Sequence, residues 1–262
     1  MRTTLDGIRD IKLYQREKGY RFSLDALLVE SFVRVTRANM IADLGAGSGI
    51  IGLLLALRYP EAKVFLVEIQ KGLFELARRN IEINGLSERV FAANADITAI
   101  GQKGAVNAAM PAGFKAGGFD LVVSNPPFRA PSAGRLSVDE ERAIARHELA
   151  VTLRHLAQAA SRLLKNGGRF CMIHHPERLP EIIETLQSAG LMPKRLRFAH
   201  GGIDAVSKMV LVESIKGARG GLVVEKPLVV YGADGSYTAE VAKMYVASNK
   251  QQGTSDKWKE KN

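Results

Sequence analysis

The chain has 262 residues, 46% of them hydrophobic, enough to bury the core of one α/β domain and too many for a disordered polymer. Lys and Arg number 37 against 27 Asp and Glu, and the resulting +10 either reflects a basic surface tuned for solubility or supplies a field for a polyanionic partner. No apolar run reaches the roughly 18 residues of a membrane span, and the start lacks a signal-peptide core. The single cysteine, Cys171, rules out an intrachain disulfide, argues against structural zinc and suits a reducing cytoplasm.

Residues 1–38 precede the first core strand and read as an N-terminal helical cap segment. Ser23 is placed as an N-cap, with Leu24, Leu27, Leu28 and Phe32 as the buried stripe of the helix that follows. Met40 to Leu44 is a short apolar run ending in Gly45-Ala46-Gly47-Ser48-Gly49, and Ile50 to Arg58 then has a helical pattern closed by Tyr59-Pro60. Strand, glycine turn and helix make the opening unit of a nucleotide-binding α/β fold, where backbone N–H groups approach a ligand. The dinucleotide fingerprint wants its third glycine where Ile50 stands; here the spacing is G-x-G-x-G behind Asp43.

A second strand, Lys63 to Val67, ends in Glu68, about 20 residues beyond the turn, where an acid can grip both hydroxyls of a ribose. Lys71 to Asn84 has helical spacing with Gly85 as its stop. A third strand, Val90 to Ala95, ends in Asp96-Ile97, and the Gly/Ala-rich stretch from Gly101 to Gly118 reads as an insertion loop. A fourth strand, Phe119 to Ser124, is stopped by Asn125-Pro126-Pro127-Phe128, because two prolines forbid it to continue. An amide at a strand tip, a rigid turn and a flat ring together can hold a planar amino group.

Arg129 to His147 is a long charged segment whose Arg129, Arg135 and Arg142 belong either to a solvated helix face or to a clamp on substrate phosphates. A helix from about Leu149 to Leu164 leads to Asn166-Gly167-Gly168 and a fifth strand, Arg169 to Ile173, which holds Cys171 as a core thiol. His174 and His175 follow; adjacent residues on an extended chain face opposite ways and make a poor chelate, so no metal is expected, and His174 is a candidate for the substrate mouth. Pro180 to Ala189 reads as a helix, Lys194 to Ala199 and Lys208 to Lys216 as strands, and Leu222 to Tyr231 as an outer strand. The chain from residue 248 onward is polar and reads as a disordered tail.

Asp43-x-Gly45-x-Gly47-x-Gly49 with Asn125-Pro126-Pro127-Phe128 resembles the motifs of S-adenosylmethionine-dependent methyltransferases that alkylate planar nitrogens. With Tyr20-Arg21-Phe22-Ser23-Leu24-Asp25-Ala26-Leu27-Leu28, the combination is most similar to the tRNA adenine-N6 methyltransferase family that acts on valine tRNA beside the anticodon. The resemblance covers about residues 19–245. It implies a single class I methyltransferase domain over 39–247, built on a doubly wound, seven-stranded, mostly parallel, Rossmann-like sheet with one antiparallel strand. It further implies S-adenosylmethionine held by Asp43, Gly45, Gly47, Gly49, Glu68, Asp96 and Ile97, with Ser23 or Asp25 either reaching the methionine end or merely capping a helix. Asn125, Pro126, Pro127 and Phe128 become the catalytic set and tRNA the partner, with monomer and homodimer both open. Methylation of guanine N2 in ribosomal RNA, methylation of a protein glutamine, and a non-catalytic RNA-binding protein that kept the fold are the alternatives.

Overall fold

The structure, a computed structural model, describes residues 3–17, 24–100, 110–126 and 153–246. The chain opens with a β-hairpin, β1 (Thr3–Ile8) and β2 (Ile11–Arg16), then α1 (Leu24–Phe32). The nucleotide-binding half is β3 (Met40–Leu44), α2 (Ile50–Arg58), β4 (Lys63–Glu68), α3 (Lys71–Ile83) and β5 (Val90–Asn94), closed by a 3-10 turn at Ile97–Ala99. The second half is β6 (Phe119–Ser124), α4 (Leu153–Leu163), β7 (Leu164–His174), a 3-10 turn at Pro176–Arg178, α5 (Leu179–Ser188), β8 (Leu191–His200) and β9 (Ser207–Lys216). Two strands of two residues each, β10 (Val223–Val224) and β11 (Leu228–Val229), and the short helix α6 (Ala239–Met244) complete the described chain.

The sheet order is β5-β4-β3-β6-β7-β9-β8, parallel except for β9, which runs antiparallel to both β7 and β8. These are the seven expected strands. The sheet nevertheless has nine, because β10 and β11 both add to the outer side of β8 where a single outer strand was expected. The glycines before the fifth strand are also drawn into it. Leu164 pairs with Phe119, and the irregularity between Phe119 and Leu121 absorbs the residues up to Arg169.

The N-terminal segment differs from the helical reading. Ile11, Leu13 and Gln15 are buried while Lys12 is exposed, the period-2 pattern of a strand packed on one face. The hairpin docks on α3 through paired side-chain amides. Asn80 accepts from Tyr14 N and donates to Tyr14 O, at 2.6 and 3.0 Å, and Asn84 does the same for Lys12 at 2.9 and 2.7 Å. The Arg79 guanidinium lies 3.5 Å from the centre of the Tyr14 ring.

Alternation along the strands sorts the core into two layers. Val64 and Leu66 of β4 face a cluster with the hairpin, α1, α2, α3 and α6, whereas Phe65 and Val67 face one with α4 and α5. Cys171 is fully buried, as expected of a core thiol, and lies across from Glu213 in the β7–β9 ladder. Glu213 in turn pairs with Arg169 at 2.6 Å and Arg195 at 2.9 Å, so this buried carboxylate is compensated. No helix among the described residues is long and apolar enough to cross a membrane.

Candidate active site

The carboxyl ends of β3, β4, β5 and β6 form one edge of the sheet, and hydrogen bonds tie the tips together. Gly45 N and Ala46 N donate to Val67 O at 2.9 and 3.1 Å, so the glycine turn is anchored to the end of β4. Gly45 and Gly47 have φ of 73° and 58°, a region in which a Cβ is strained, and a Cβ on Gly45 would meet nothing within 4 Å. The turn is therefore shaped by backbone and open above.

Beneath it, Gly52 lies so close to β4 that a Cβ would sit 2.1 Å from Leu66 Cδ2. Gly52→Ala should gain about 1 kcal/mol of helix propensity and lose more than that by overpacking, because Leu66 is wholly buried. A net loss on the order of 1–2 kcal/mol in a denaturant titration is expected; unchanged stability would mean that α2 does not press on β4 as described.

Asp43 is fully buried under the turn. Its Oδ2 accepts from Gly52 N at 3.0 Å, while Oδ1 has no hydrogen-bond partner. Burial raises its pKa to about 7; the Gly52 N–H opposes the rise and the negative charge of Glu68 reinforces it. Asp43 thus holds the first turn of α2 against β3 from below the loop.

Glu68, 5% exposed, accepts from Gly47 N through Oε2 and from Gln70 N through Oε1, both at 2.8 Å. The two backbone N–H groups orient the carboxylate at the tip of β4. Asn94 donates to Glu68 O and Ile69 O, both at 2.9 Å, locking the β5 tip to the β4 tip. Half-buried Asp96 caps the following 3-10 turn by accepting from Thr98 N at 2.8 Å, and Ile97 is buried beside it.

Across the glycine turn, Ser124 Oγ donates to Leu44 O at 2.8 Å and fixes the β6 tip against β3. Asn125 follows, and its Oδ1 is screened from solvent with no hydrogen-bond partner among the described residues. A carbonyl oxygen so placed is an acceptor awaiting a donor. Pro126 closes the described part of this segment; Pro127, Phe128, Arg129, Arg135 and Arg142 lie outside the described residues, as does Ser23. Asp25 stands half-buried in the first turn of α1.

His174 ends the strand beside β6. Ser124 pairs with Met172, so the parallel register carries His174 level with Pro126. It is 1% exposed, its Nδ1 accepts from His175 N at 2.8 Å, and Nε2 lies 3.2 Å from Nη1 of Arg178. Burial, then the charges of Arg178 and His175, lower its pKa to about 4, so it is neutral at neutral pH and carries no charge with which to hold an anion. Among the described residues there is no group of three or more His, Cys, Asp or Glu that could hold a metal.

Asn80 escaped the sequence reading. Fully buried on α3, it donates to Ser48 O at 2.9 Å as well as to the hairpin, and so couples the glycine turn to β2. Only the unusual placement of an amide on the buried side of an amphipathic helix could have flagged it.

The methyltransferase small domain family model matches residues 24–189. A tRNA1(Val) (adenine(37)-N6)-methyltransferase of Porphyromonas gingivalis is 31% identical over 200 residues, 75% of this chain and 74% of that protein. A release factor glutamine methyltransferase of Chlorobaculum tepidum is 34% identical over a shorter 158 residues, 57% of this chain and 50% of the relative. Among solved structures, one described as a predicted O-methyltransferase from Agrobacterium tumefaciens superposes with a TM-score of 0.66 at 28% identity, covering 85% of this chain and 97% of that one.

Proposed function

The chain belongs to the methyltransferase small domain family and is an S-adenosylmethionine-dependent methyltransferase, and from that premise we propose that it methylates the exocyclic N6 of adenine in a tRNA, at position 37 of valine tRNA. The observation that carries the reading is the buried, unpartnered Oδ1 of Asn125 at the β6 tip, beside an open glycine turn. A planar amine is the donor that such an acceptor lacks. The likeness to the Porphyromonas gingivalis enzyme over three quarters of both chains supports tRNA over a protein substrate, and so does the +10 charge.

In this reading the glycine turn, with Asp43 beneath it, curls around the methionine end of the cofactor. Glu68 takes the ribose hydroxyls, with Asp96 and Ile97 at the adenine and Ser23 or Asp25 near the methionine end. The residues fit: the turn is open above Gly45, and Glu68 is already oriented by Gly47 and Gln70. Bound there, the cofactor supplies a methyl group already activated by a positive sulfur.

What remains for the protein is to aim a poor nucleophile, since the lone pair of an exocyclic amine is delocalised into its ring. Asn125 Oδ1 and the Pro126 carbonyl each accept one N–H, which turns the lone pair toward the methyl. Phe128 stacks on the extruded base, a gain of about 1–3 kcal/mol that offsets part of the few kcal/mol that extrusion costs. Arg129, Arg135 and Arg142 hold phosphates, whereas His174, buried and engaged by His175 and Arg178, supports the neighbouring strand end from beneath rather than lining the mouth. No strong base is required, and positioning supplies most of the rate.

The test is to incubate the protein and labelled S-adenosylmethionine with unmodified tRNA transcripts and, separately, with a release factor, then analyse nucleosides and peptides by mass spectrometry. N6-methyladenosine in tRNA is expected, with tRNA affinity falling steeply as salt is added because neutralised phosphates release counterions. Methylation of protein glutamine alone, with tRNA ignored, would overturn the proposal; methylguanosine in RNA would correct the base and keep the chemistry.

A further inference from the structure

Three tyrosines are stacked on the protein surface. Tyr231 lies on Tyr237 with ring centroids 5.2 Å apart and planes 15° from parallel, and Tyr237 lies on Tyr245 at 5.3 Å and 18°. Tyr231 and Tyr237 face each other across a tight turn, bridged as an antiparallel pair and closed by Gly232 N donating to Ser236 O at 2.9 Å. Tyr245 comes from the end of α6, with its hydroxyl 3.4 Å from that of Tyr237.

A cross-strand aromatic pair is enough to hold such a turn. The third ring and the exposure are more than the turn needs: Tyr231 and Tyr237 remain 44% and 40% exposed. Among the described residues no further ring is stacked on Tyr231, and with 44% of that residue exposed this is the end of the ladder at which a flat ligand would add.

Its place in the fold is informative. Val230 N donates to His200 O and Tyr231 N to Gly201 O, at 2.8 and 2.9 Å, so the ladder begins at the carboxyl end of β8. That is the same sheet edge on which Asn125 stands; the ladder continues β11 on the outer side of β8, so β8, β9 and β7 lie between it and β6, a lateral separation of roughly 20 Å. The adjoining turn, Gly201 to Val206, exposes Ile203 at 76% and Val206 at 83%, so apolar surface continues along the rim. Exposed Lys208 and Lys243 flank these turns, but so do exposed Asp204 and Asp234, so local charge does not by itself choose an occupant. Stacked open rings do: unpaired bases of single-stranded RNA stack on such faces.

We propose that the Tyr231–Tyr237–Tyr245 ladder is a base-stacking platform for an unpaired nucleotide of the same RNA loop, several positions from the methylated one, an inference that rests on the RNA reading above. The platform holds the RNA loop at a second point while the target base is delivered to Asn125. It contributes to RNA affinity and not to the methyl-transfer step.

Unmodified substrate tRNA transcript would be titrated against the wild-type protein, Tyr231→Ala and Tyr231→Trp, with methylation kinetics run in parallel. Tyr231→Ala should weaken tRNA binding and raise KM for tRNA on the order of tenfold, with kcat and S-adenosylmethionine affinity nearly unchanged. The salt slope should stay the same, since no phosphate contact is lost. Tyr231→Trp should bind at least as tightly as wild type, which a mere loosening of the turn would not allow. Equal tRNA affinity for wild type and Tyr231→Ala overturns the platform, and so does Tyr231→Trp binding as weakly as the alanine variant. If the wild-type protein binds no RNA, the functional reading itself fails. A Tyr231→Ala defect confined to binding of a protein substrate would assign the patch to a protein partner and overturn the RNA platform.

Discussion

Asn125→Ala should leave a folded protein that binds S-adenosylmethionine normally and transfers methyl groups about a hundred- to a thousand-fold more slowly, the scale set by removing a single preorganised hydrogen-bonding group from other active sites. Among the described residues the side chain makes no hydrogen bond through Oδ1, so truncation should cost little stability. Its contact with the amine is worth most when the lone pair is being drawn toward the methyl, so the loss should fall on kcat more than on KM. Burial sharpens the effect, because an acceptor screened from water aligns its donor without competition. Asn125→Asp keeps an acceptor at the same point and should recover part of the activity. Single-turnover methylation with calorimetry of cofactor binding separates these effects, and near-wild-type turnover by folded Asn125→Ala would end the mechanism.

The parts of this site that sequence made legible are those written in consecutive residues. The apolar run before Gly45, the acid after Lys63–Val67 and the prolines after Phe119–Ser124 each mark a strand tip by local chemistry, and β4 and β6 occupy the residues expected of them. What joins the tips is not local. Gly52 N reaches Asp43, Asn80 reaches Ser48 and Ser124 reaches Leu44 across 9, 32 and 80 residues of chain, and none of those side chains announces its partner. The hairpin is only weakly legible: its period-2 pattern runs from Ile11 to Arg16, six residues long, and the helical pattern after Ser23 outweighs it. The two extra strands were hidden by length, since two-residue strands carry no periodicity of their own.

Two buried groups at the site should make the stability of the ligand-free protein depend on pH in opposite directions. Asp43 has its pKa raised by burial to about 7 in the folded protein, from an ordinary value of 3.8. Between those limits the folded chain holds a proton that the unfolded chain has released, so this contribution is complete below pH 4 and is lost as pH rises through 7. The difference is on the order of 4 kcal/mol. His174 is the reverse case: burial and Arg178 lower its pKa to about 4 from 6.5, so the unfolded chain binds the extra proton and stability is lost as pH falls from 6.5 toward 4. In the wild-type protein the two slopes partly cancel across pH 4–6.5, which leaves Asp43 to dominate just above it. Substitution separates them. Asp43→Asn keeps an acceptor for Gly52 N and removes the titration, so its denaturant midpoint should fall on acidification below pH 6.5. His174→Gln should show the other limb, with stability falling steadily from pH 4 to 7. Urea titrations of all three proteins at pH 4.5, 5.5, 6.5 and 7.5 would read both limbs. An Asp43→Asn protein with the same pH profile as wild type would mean that the carboxyl under the glycine turn is already ionised across this range, stabilised by more than the single Gly52 N–H it receives.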